Sequence, residues 1–372
     1  MLWLEAVSRS PEVSWYKLGG LDSPVQSWVV STPQTISVCN DPLVLGVEYS
    51  DLMRRGMASA LSSAPFGPLL RGAEPGQVCI MNFLRGSLNF GLREALWRAT
   101  GSNVHPTCFM SSQRTRKEGK WEVREDMYRK INIPAGAVML VGDVVATGTT
   151  VENGLQVIRE VLKEQGTSLR GLVFFTIGGP RIEEILSEMD ALFRQDFPDY
   201  QETHLVYLEG RFGLAEQDTP LTIAIPGTDL LRTGALLSPE LERSQYDSLT
   251  APLERCAIYD AGSRAFDVAE YVEDVVGYWE QVRRLSRRGR SLQEALRERW
   301  PEADYRDLAH LRAAKAQTWR GLDEGFVDAL WAAWSRRWTP EFIERARTTK
   351  ALDALASAHL ARLHRVATGP SR

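Results

Sequence analysis

The sequence predicts an α/β fold, a parallel sheet flanked by helices, followed by an all-α C-terminal domain. Three observations lead there. Between about residues 40 and 235, apolar runs of strand length alternate with stretches of helical period. Such alternation implies parallel strands with both sheet faces covered. One run, residues 138–141, passes through Gly142-Asp143 into the small-residue loop Ala146-Thr147-Gly148-Thr149-Thr150, and a helical pattern follows. After about residue 244 the strand signals stop, and Trp, Leu and Ala recur on one helical face with Arg and Glu on the other.

The elements follow in order. Residues 1–40 mix aromatic and β-branched residues with Pro and Gly, and Trp28-Val29-Val30 offers a strand. Residues 44–60 form an amphipathic helix, with Leu45, Tyr49, Leu52 and Met53 near helical spacing. Residues 77–83 are a buried strand, 85–88 a turn, 89–100 a helix and 104–110 a second strand. Residues 111–130 are strongly polar and read as a mobile loop or hairpin. Residues 138–141 are the third strand and 151–165 its helix. A fourth strand spans 171–177, a helix 181–193 and a fifth strand 204–208, and residues 221–227 close the region. Helical patterns then cover 266–288, 291–299, 304–316, 321–337 and 339–364, without an internal repeat. The expected division is an α/β domain over 1–244 and a helical domain over 245–372.

Composition narrows the class. At 372 residues the chain can bury a large core. A formal net charge of -4 gives no global pull towards nucleic acid or anionic membrane. No apolar run is long enough to span a bilayer, and the N-terminus lacks the basic start and apolar core of a secretory signal. Cys39, Cys79, Cys108 and Cys256 are scattered, with no Cys-x-x-Cys and no Cys/His cluster. Free thiols in a reducing cytoplasm, without structural zinc, are the expectation.

The chemistry concentrates at residues 138–150. A strand, a tight loop and a helix N-terminus bring backbone N–H groups and hydroxyls together where the helix end carries partial positive charge. That arrangement binds a phosphate monoester. The plain alternative is an ordinary strand–loop–helix joint. The acid before the loop, Asp143, stands where a sugar attached to the phosphate would lie. The segment resembles the phosphoribosyl-diphosphate (PRPP) loop of type I phosphoribosyltransferases, in which an acidic strand end leads into a Thr-Gly-x-Thr cradle.

Other segments add to the resemblance. Phe83-Leu84-Arg85-Gly86-Ser87 is similar to the family's diphosphate loop after the first core strand, which is often held in a non-proline cis peptide. Residues 111–130 resemble the mobile arm of uracil phosphoribosyltransferases, which helps close over the diphosphate and excludes water. Ile225-Pro226-Gly227-Thr228-Asp229 resembles the uracil branch's base-reading segment. These segments come in the family's order, over about residues 40 to 235. Two departures stand out. Most members carry two consecutive acids before the loop and the uracil branch carries Asp-Pro, whereas this chain has Gly142-Asp143. Adjacent strand residues point to opposite faces, so Asp143 corresponds to the second acid of the double-acid members. The tail after Gly227 also differs.

The resemblance implies an enzyme, a phosphoribosyltransferase that moves the 5-phosphoribosyl group of PRPP to a nitrogenous base or related small-molecule acceptor and releases diphosphate. Asp143, Arg85, Arg114 and Arg116 are the expected catalytic residues. Arg85, Gly86, Lys117, Asp143, Ala146, Thr147, Gly148, Thr149 and Thr150 would bind PRPP, and Ile225, Gly227, Thr228 and Asp229 the acceptor. Mg²⁺ is the implied cofactor, with no ligand readable. The alternative is a non-catalytic nucleotide- or PRPP-binding regulator of the same fold, to which Gly142 points. Three weaker signals remain. The basic run 283–290 reads as a helix C-terminus capped by Gly289 rather than a nucleic-acid track. Residues 259–264 read as a compact polar turn between domains, a linker or a turn that reaches the active site. The C-terminal Trp and Leu residues need a surface, at the acceptor site or in a homodimer, and a homodimer is expected.

Overall fold

The computed structural model describes residues 1–117, 120–300 and 307–368, with residues 112–117, 120–127, 367 and 368 described by backbone alone. The chain opens with strands β1 (Trp3–Arg9), β2 (Ser14–Gly19) and β3 (Gln26–Ser31), then helices α1 (Pro33–Asn40), α2 (Gly46–Ser62) and α3 (Gly67–Arg71). Next come β4 (Val78–Phe83), a short 3-10 turn (Gly86–Phe90), α4 (Leu92–Thr100), β5 (Thr107–Lys117) and β6 (Lys120–Lys130). The central alternation is β7 (Ala137–Val145), α5 (Thr149–Gln165), β8 (Leu169–Gly178), α6 (Arg181–Asp196) and β9 (Glu202–Leu214), followed by β10 (Leu230–Leu237) and α7 (Pro239–Ser244). The remainder is α8 (Ala261–Phe266), α9 (Val268–Arg287), α10 (Leu292–Arg299), α11 (Leu308–Thr318), β11 (Trp319–Arg320), α12 (Glu324–Arg337), α13 (Pro340–Ala346) and α14 (Thr349–Thr368).

The strands join one sheet in the order β11-β1-β2-β3-β9-β8-β7-β4-β5-β6, with β10 beside β9. Strands β3, β9, β8, β7, β4 and β5 are mutually parallel. They are the apolar runs legible in the sequence: β4 is buried throughout, and so are residues 137–142 of β7. A strand covered on both faces cannot alternate polar and apolar, so it reads as a continuous apolar run.

The expectation of a purely parallel sheet needs correction, because the sheet is mixed. β1, β2 and β3 form an antiparallel meander, β5 and β6 an antiparallel hairpin, and β10 runs antiparallel to β9. The polar run 111–130 thus takes the hairpin form. An antiparallel edge pair can face solvent on one side, so it needs no apolar run and leaves little signal. The C-terminal part is also not wholly helical, since β11 pairs with β1 through Leu4 and Trp319. Its helices pack as their apolar faces require, with Trp331 and Trp334 stacked at 4.6 Å and Trp338 edge-on to Phe342 at 5.2 Å.

β9 bends at Glu209, which has a left-handed backbone (φ 67°) and is fully buried. Its carboxylate accepts from Ser31 Oγ at 2.7 Å, Thr32 N–H at 3.0 Å, Ser238 Oγ at 3.0 Å and the Thr35 hydroxyl. Burial nevertheless wins over these donors and raises the carboxyl to about 7. Between the ordinary glutamate value and about 7, the folded state therefore holds a proton that the unfolded chain has lost. Stability must fall as pH rises through that window, by roughly 1.4 kcal/mol per unit at most. We expect Glu209→Gln to flatten this slope in urea titrations between pH 5 and 8. A slope unchanged by the substitution would assign the pH dependence elsewhere.

Candidate active site

The parallel strands set the position of the cleft. After β4 the chain crosses to β5 on one side, while β7 lies on the other and leads away to β8. The connections diverge at β4 and β7, which opens a crevice beyond their carboxyl ends. The cleft found there encloses about 650 Å³. Its walls are the turn after β4, the end of β7 with the loop to α5, the start of β10 and residues 256–262.

The β7–α5 loop builds one end. Gly148 precedes α5 with φ 75°, a left-handed conformation that favours glycine, and a Cβ there would also strike Ile185. Glu152 N–H donates to the Gly148 carbonyl at 2.9 Å. The N–H groups of Thr149, Thr150 and Val151 in the first turn thus have no intrahelical acceptor. All three residues line the cleft, at the positive end of a 17-residue helix.

The turn after β4 forms the floor. Ser87 Oγ accepts from Phe83 N–H at 2.9 Å and closes the turn, and the Leu84–Arg85 peptide is cis, as the resemblance implied for this loop. Gly86 lies so close to Asp143 that a Cβ would collide with its carboxylate. Asp143 is half-buried at the cleft, with Oδ1 accepting from Val144 N–H at 2.9 Å. Arg85 is the cationic side chain among the described residues that line the cleft.

Position 142 has a steric explanation. The Phe90 ring lies against it, with Cγ 2.6 Å from where a Cβ would stand. Gly142 is buried and Phe90 is fully enclosed. An acid at 142 would point into this packed face, away from the cleft that Asp143 faces.

The positions expected from the sequence divide as follows. Arg85, Gly86, Asp143 and the loop 146–150 come together in the cleft. Arg114, Arg116 and Lys117 lie on β5, and their side chains fall outside the described residues. Gly227 and Thr228 line the cleft. Ile225 is 46% exposed, and neither it nor Asp229 is among the lining residues. Asp229 is buried behind the wall, where Oδ2 accepts from Ile225 N–H at 2.9 Å and Oδ1 lies 3.2 Å from Arg255 Nε. Burial raises its carboxyl, and Arg255 opposes that.

Residues 256–262 form a wall, and they include part of the turn 259–264 that the sequence offers as a linker or as a segment reaching the active site. Ala257 N–H donates to the Leu230 carbonyl at 3.2 Å, and Asn89 Nδ2 to the Ala261 carbonyl at 2.7 Å. Arg264 is fully buried and donates to the carbonyls of Val38, Asp41 and Val44, which ties α8 to α1 and the connection before α2. Asp260 caps α8 by accepting from Ser263 N–H at 2.6 Å. An Asp-x-x-Ser spacing is a local capping pattern, whereas the neighbours of Asp260 in space are set by packing. Burial pushes the Cys256 thiol up to about 12, so it remains a neutral wall residue.

Among the described residues, no group of three or more His, Cys, Asp or Glu side chains is placed to hold a metal ion. The carboxylates of the described cleft lining are Asp143 and Asp260. This fits a Mg²⁺ that keeps most of its waters and takes one or two protein oxygens beside substrate phosphates. No helix among the described residues is long and apolar enough to cross a membrane.

No family model and no curated protein matches the sequence. Several solved structures show a distant, partial similarity to this chain. The AQ2163 protein from Aquifex aeolicus is 14% identical with a TM-score of 0.34, over 48% of this chain and 84% of that one. An adenine phosphoribosyltransferase from Trypanosoma brucei, in complex with AMP, pyrophosphate and ribose-5-phosphate, is 15% identical with a TM-score of 0.30, over 49% of this chain and 83% of that one. A hypothetical protein from Neisseria gonorrhoeae with bound ppGpp is 16% identical with a TM-score of 0.23, over 35% of this chain and 69% of that one. The likeness is distant and partial in each case.

Proposed function

We propose that this protein is a phosphoribosyltransferase that moves the 5-phosphoribosyl group of PRPP to a nitrogenous base or a related small acceptor. The observation that supports this best is the meeting of three features in one cleft at the β4/β7 divergence. They are a helix N-terminus behind Gly148, the carboxylate of Asp143, and the turn carrying Arg85 and Gly86. A phosphorylated sugar with a second anionic group would use all three. The N–H groups of Thr149 to Val151 would hold the 5′-phosphate, Asp143 the ribose hydroxyls, and Arg85 with the backbone at Gly86 the diphosphate.

In the reaction, an acceptor nitrogen forms a bond to the anomeric carbon as the carbon–oxygen bond to diphosphate breaks, the diphosphate leaves with the electron pair, and the proton of an N–H acceptor passes to water. This chain would position the reactants and stabilise developing charge. Arg85 would pair with the leaving group, and Asp143 would hold the sugar in line. Asp143 would be the protein oxygen that helps hold Mg²⁺, and the ion would supply positive charge to offset the diphosphate. In this reading residues 1–244 supply the phosphoribosyl site, and residues 245–372 complete its acceptor wall.

PRPP with Mg²⁺ is expected to bind and to stabilise the fold by roughly 2.7 kcal/mol at one hundred times its dissociation constant. Asp143→Asn should retain the fold and lose about ten- to hundredfold in turnover, since a hydrogen bond to a charged group contributes about 1.5–3 kcal/mol. Calorimetry and diphosphate release measure the two effects. No heat of binding would sink the proposal. Binding without turnover on any acceptor would favour a PRPP sensor of the same fold.

A further inference from the structure

We infer that Asn89 is a positioning residue that sets the aim of Arg85 through the C-terminal turn 260–262, so that both parts of the chain build the diphosphate end of the cleft. This rests on the phosphoribosyl-transfer reading, which places the diphosphate at Arg85.

Asn89 stands on the short 3-10 turn (Gly86–Phe90) that directly follows Arg85. Leu88 N–H donates to the Arg85 carbonyl at 3.2 Å, which joins the two. Asn89 is fully buried, and its Nδ2 donates to the Ala261 carbonyl at 2.7 Å. Its Oδ1 is buried without a hydrogen-bond partner among the described residues. A buried polar atom left unpaired costs free energy, and an apolar side chain of similar size would avoid that cost. Packing alone therefore does not account for an amide at 89. The bond to Ala261 does, because the carbonyl it reaches belongs to a turn from the C-terminal part.

That turn meets Arg85. A Cβ at Gly262 would stand 3.8 Å from Arg85 Nε and 3.9 Å from Arg85 Cβ. The same point lies 3.2 Å from Asp260 Oδ1, which Ser263 holds with its N–H at 2.6 Å and its Oγ at 3.0 Å. The bare Gly262 thus leaves the Arg85 stem and the Asp260 carboxylate beside one open position. Arg85 forms no ion pair among the described residues, so packing sets its aim and its charge is left for a ligand. Asn89 keeps that packing in register, because it fixes Ala261 and the next residue supports the arginine. A guanidinium gives a diphosphate paired hydrogen bonds only when its fork is correctly placed, so a small shift of the turn weakens the contact. The loop before α5 packs on Ile185 and is not part of this series of contacts.

Calorimetry on the full chain with Mg²⁺ separates the two ends of the cleft, using inorganic diphosphate, PRPP and ribose 5-phosphate, which lacks the diphosphate. Asn89→Ala should weaken diphosphate and PRPP at least about fivefold and leave ribose 5-phosphate within about twofold. Gly262→Val, which keeps the Asn89 bond and crowds Arg85 instead, should give the same pattern. In an Arg85→Ala background each substitution should change PRPP affinity by less than about twofold, because its effect passes through the arginine. A loss shared equally by ribose 5-phosphate would reduce Asn89 to a structural role and overturn the inference. So would diphosphate affinity unchanged in either variant, or a loss that persists without Arg85. If Asn89→Ala does not fold, Gly262→Val with and without Arg85→Ala decides alone. Wild-type protein that binds none of the three ligands would remove the transfer reading, and this inference with it.

Discussion

Placing an aspartate at position 142 is expected to destabilise the protein by on the order of 3 kcal/mol or more and to add nothing to turnover. By analogy with double-acid loops, Gly142→Asp looks like the repair of a missing ribose contact. The packing says otherwise. Position 142 faces Phe90, whose Cγ lies 2.6 Å from a Cβ built there, and the strand pairs with buried Phe175 on β8. The new side chain must displace an enclosed aromatic ring, and overpacking alone costs about 1–3 kcal/mol. Its carboxylate would lack a partner in an apolar layer, and an unpaired buried charge costs several kcal/mol more unless it is neutralised. Urea denaturation of the variant and the wild type measures the difference, and diphosphate release measures activity. A variant as stable as the wild type with higher turnover would show that Phe90 yields and that position 142 can reach the cleft.

Removal of residues 245–372 should give a fragment that aggregates and does not bind PRPP. The C-terminal part is woven into the rest of the chain. β11 covers β1, with Trp319 beside Leu4, and Trp319 Nε1 donates to the Leu237 carbonyl at 3.2 Å. Lys315 pairs with Glu242, and both are nearly fully buried. Arg264 satisfies three carbonyls around α1 and α2. Deletion would expose Leu4, Leu230 and Leu241, now at 0%, 2% and 0% exposure, and would open the sheet edge at β1. Bare edges and new apolar patches promote association. The cleft would also lose the wall at 256–262. Size-exclusion chromatography and PRPP titration of residues 1–244 provide the check. A soluble, monomeric fragment with wild-type PRPP affinity would show that the C-terminal part is an independent addition.

The legible and illegible parts of this molecule differ by the range of the interactions that make them. The alternation of β4, β7, β8 and β9 with their helices was readable, because strands covered on both faces must be apolar throughout. The loop 146–150 was readable because its chemistry is local. A glycine before a helix and small residues in its first turn suffice to expose N–H groups. The meander β1–β2–β3 left only Trp28-Val29-Val30 as a signal, since the buried Ser14, Ser27 and Ser31 interrupt the apolar runs of β2 and β3.

By itself, the sequence determined the parallel core, the small-residue loop before α5, the acid at 143 and the helical character of the C-terminal part. Tertiary structure alone decided that Phe90 occupies the space beside Gly142, that Asp229 turns to Arg255 and away from the cleft, and that Asp260 enters it from more than a hundred residues beyond the loop. Periodicity and local capping act within a few residues of one another, so one sequence displays them directly. Which side chains meet across the sheet depends on how separate elements bury their faces against each other, and that is set only when the whole chain packs.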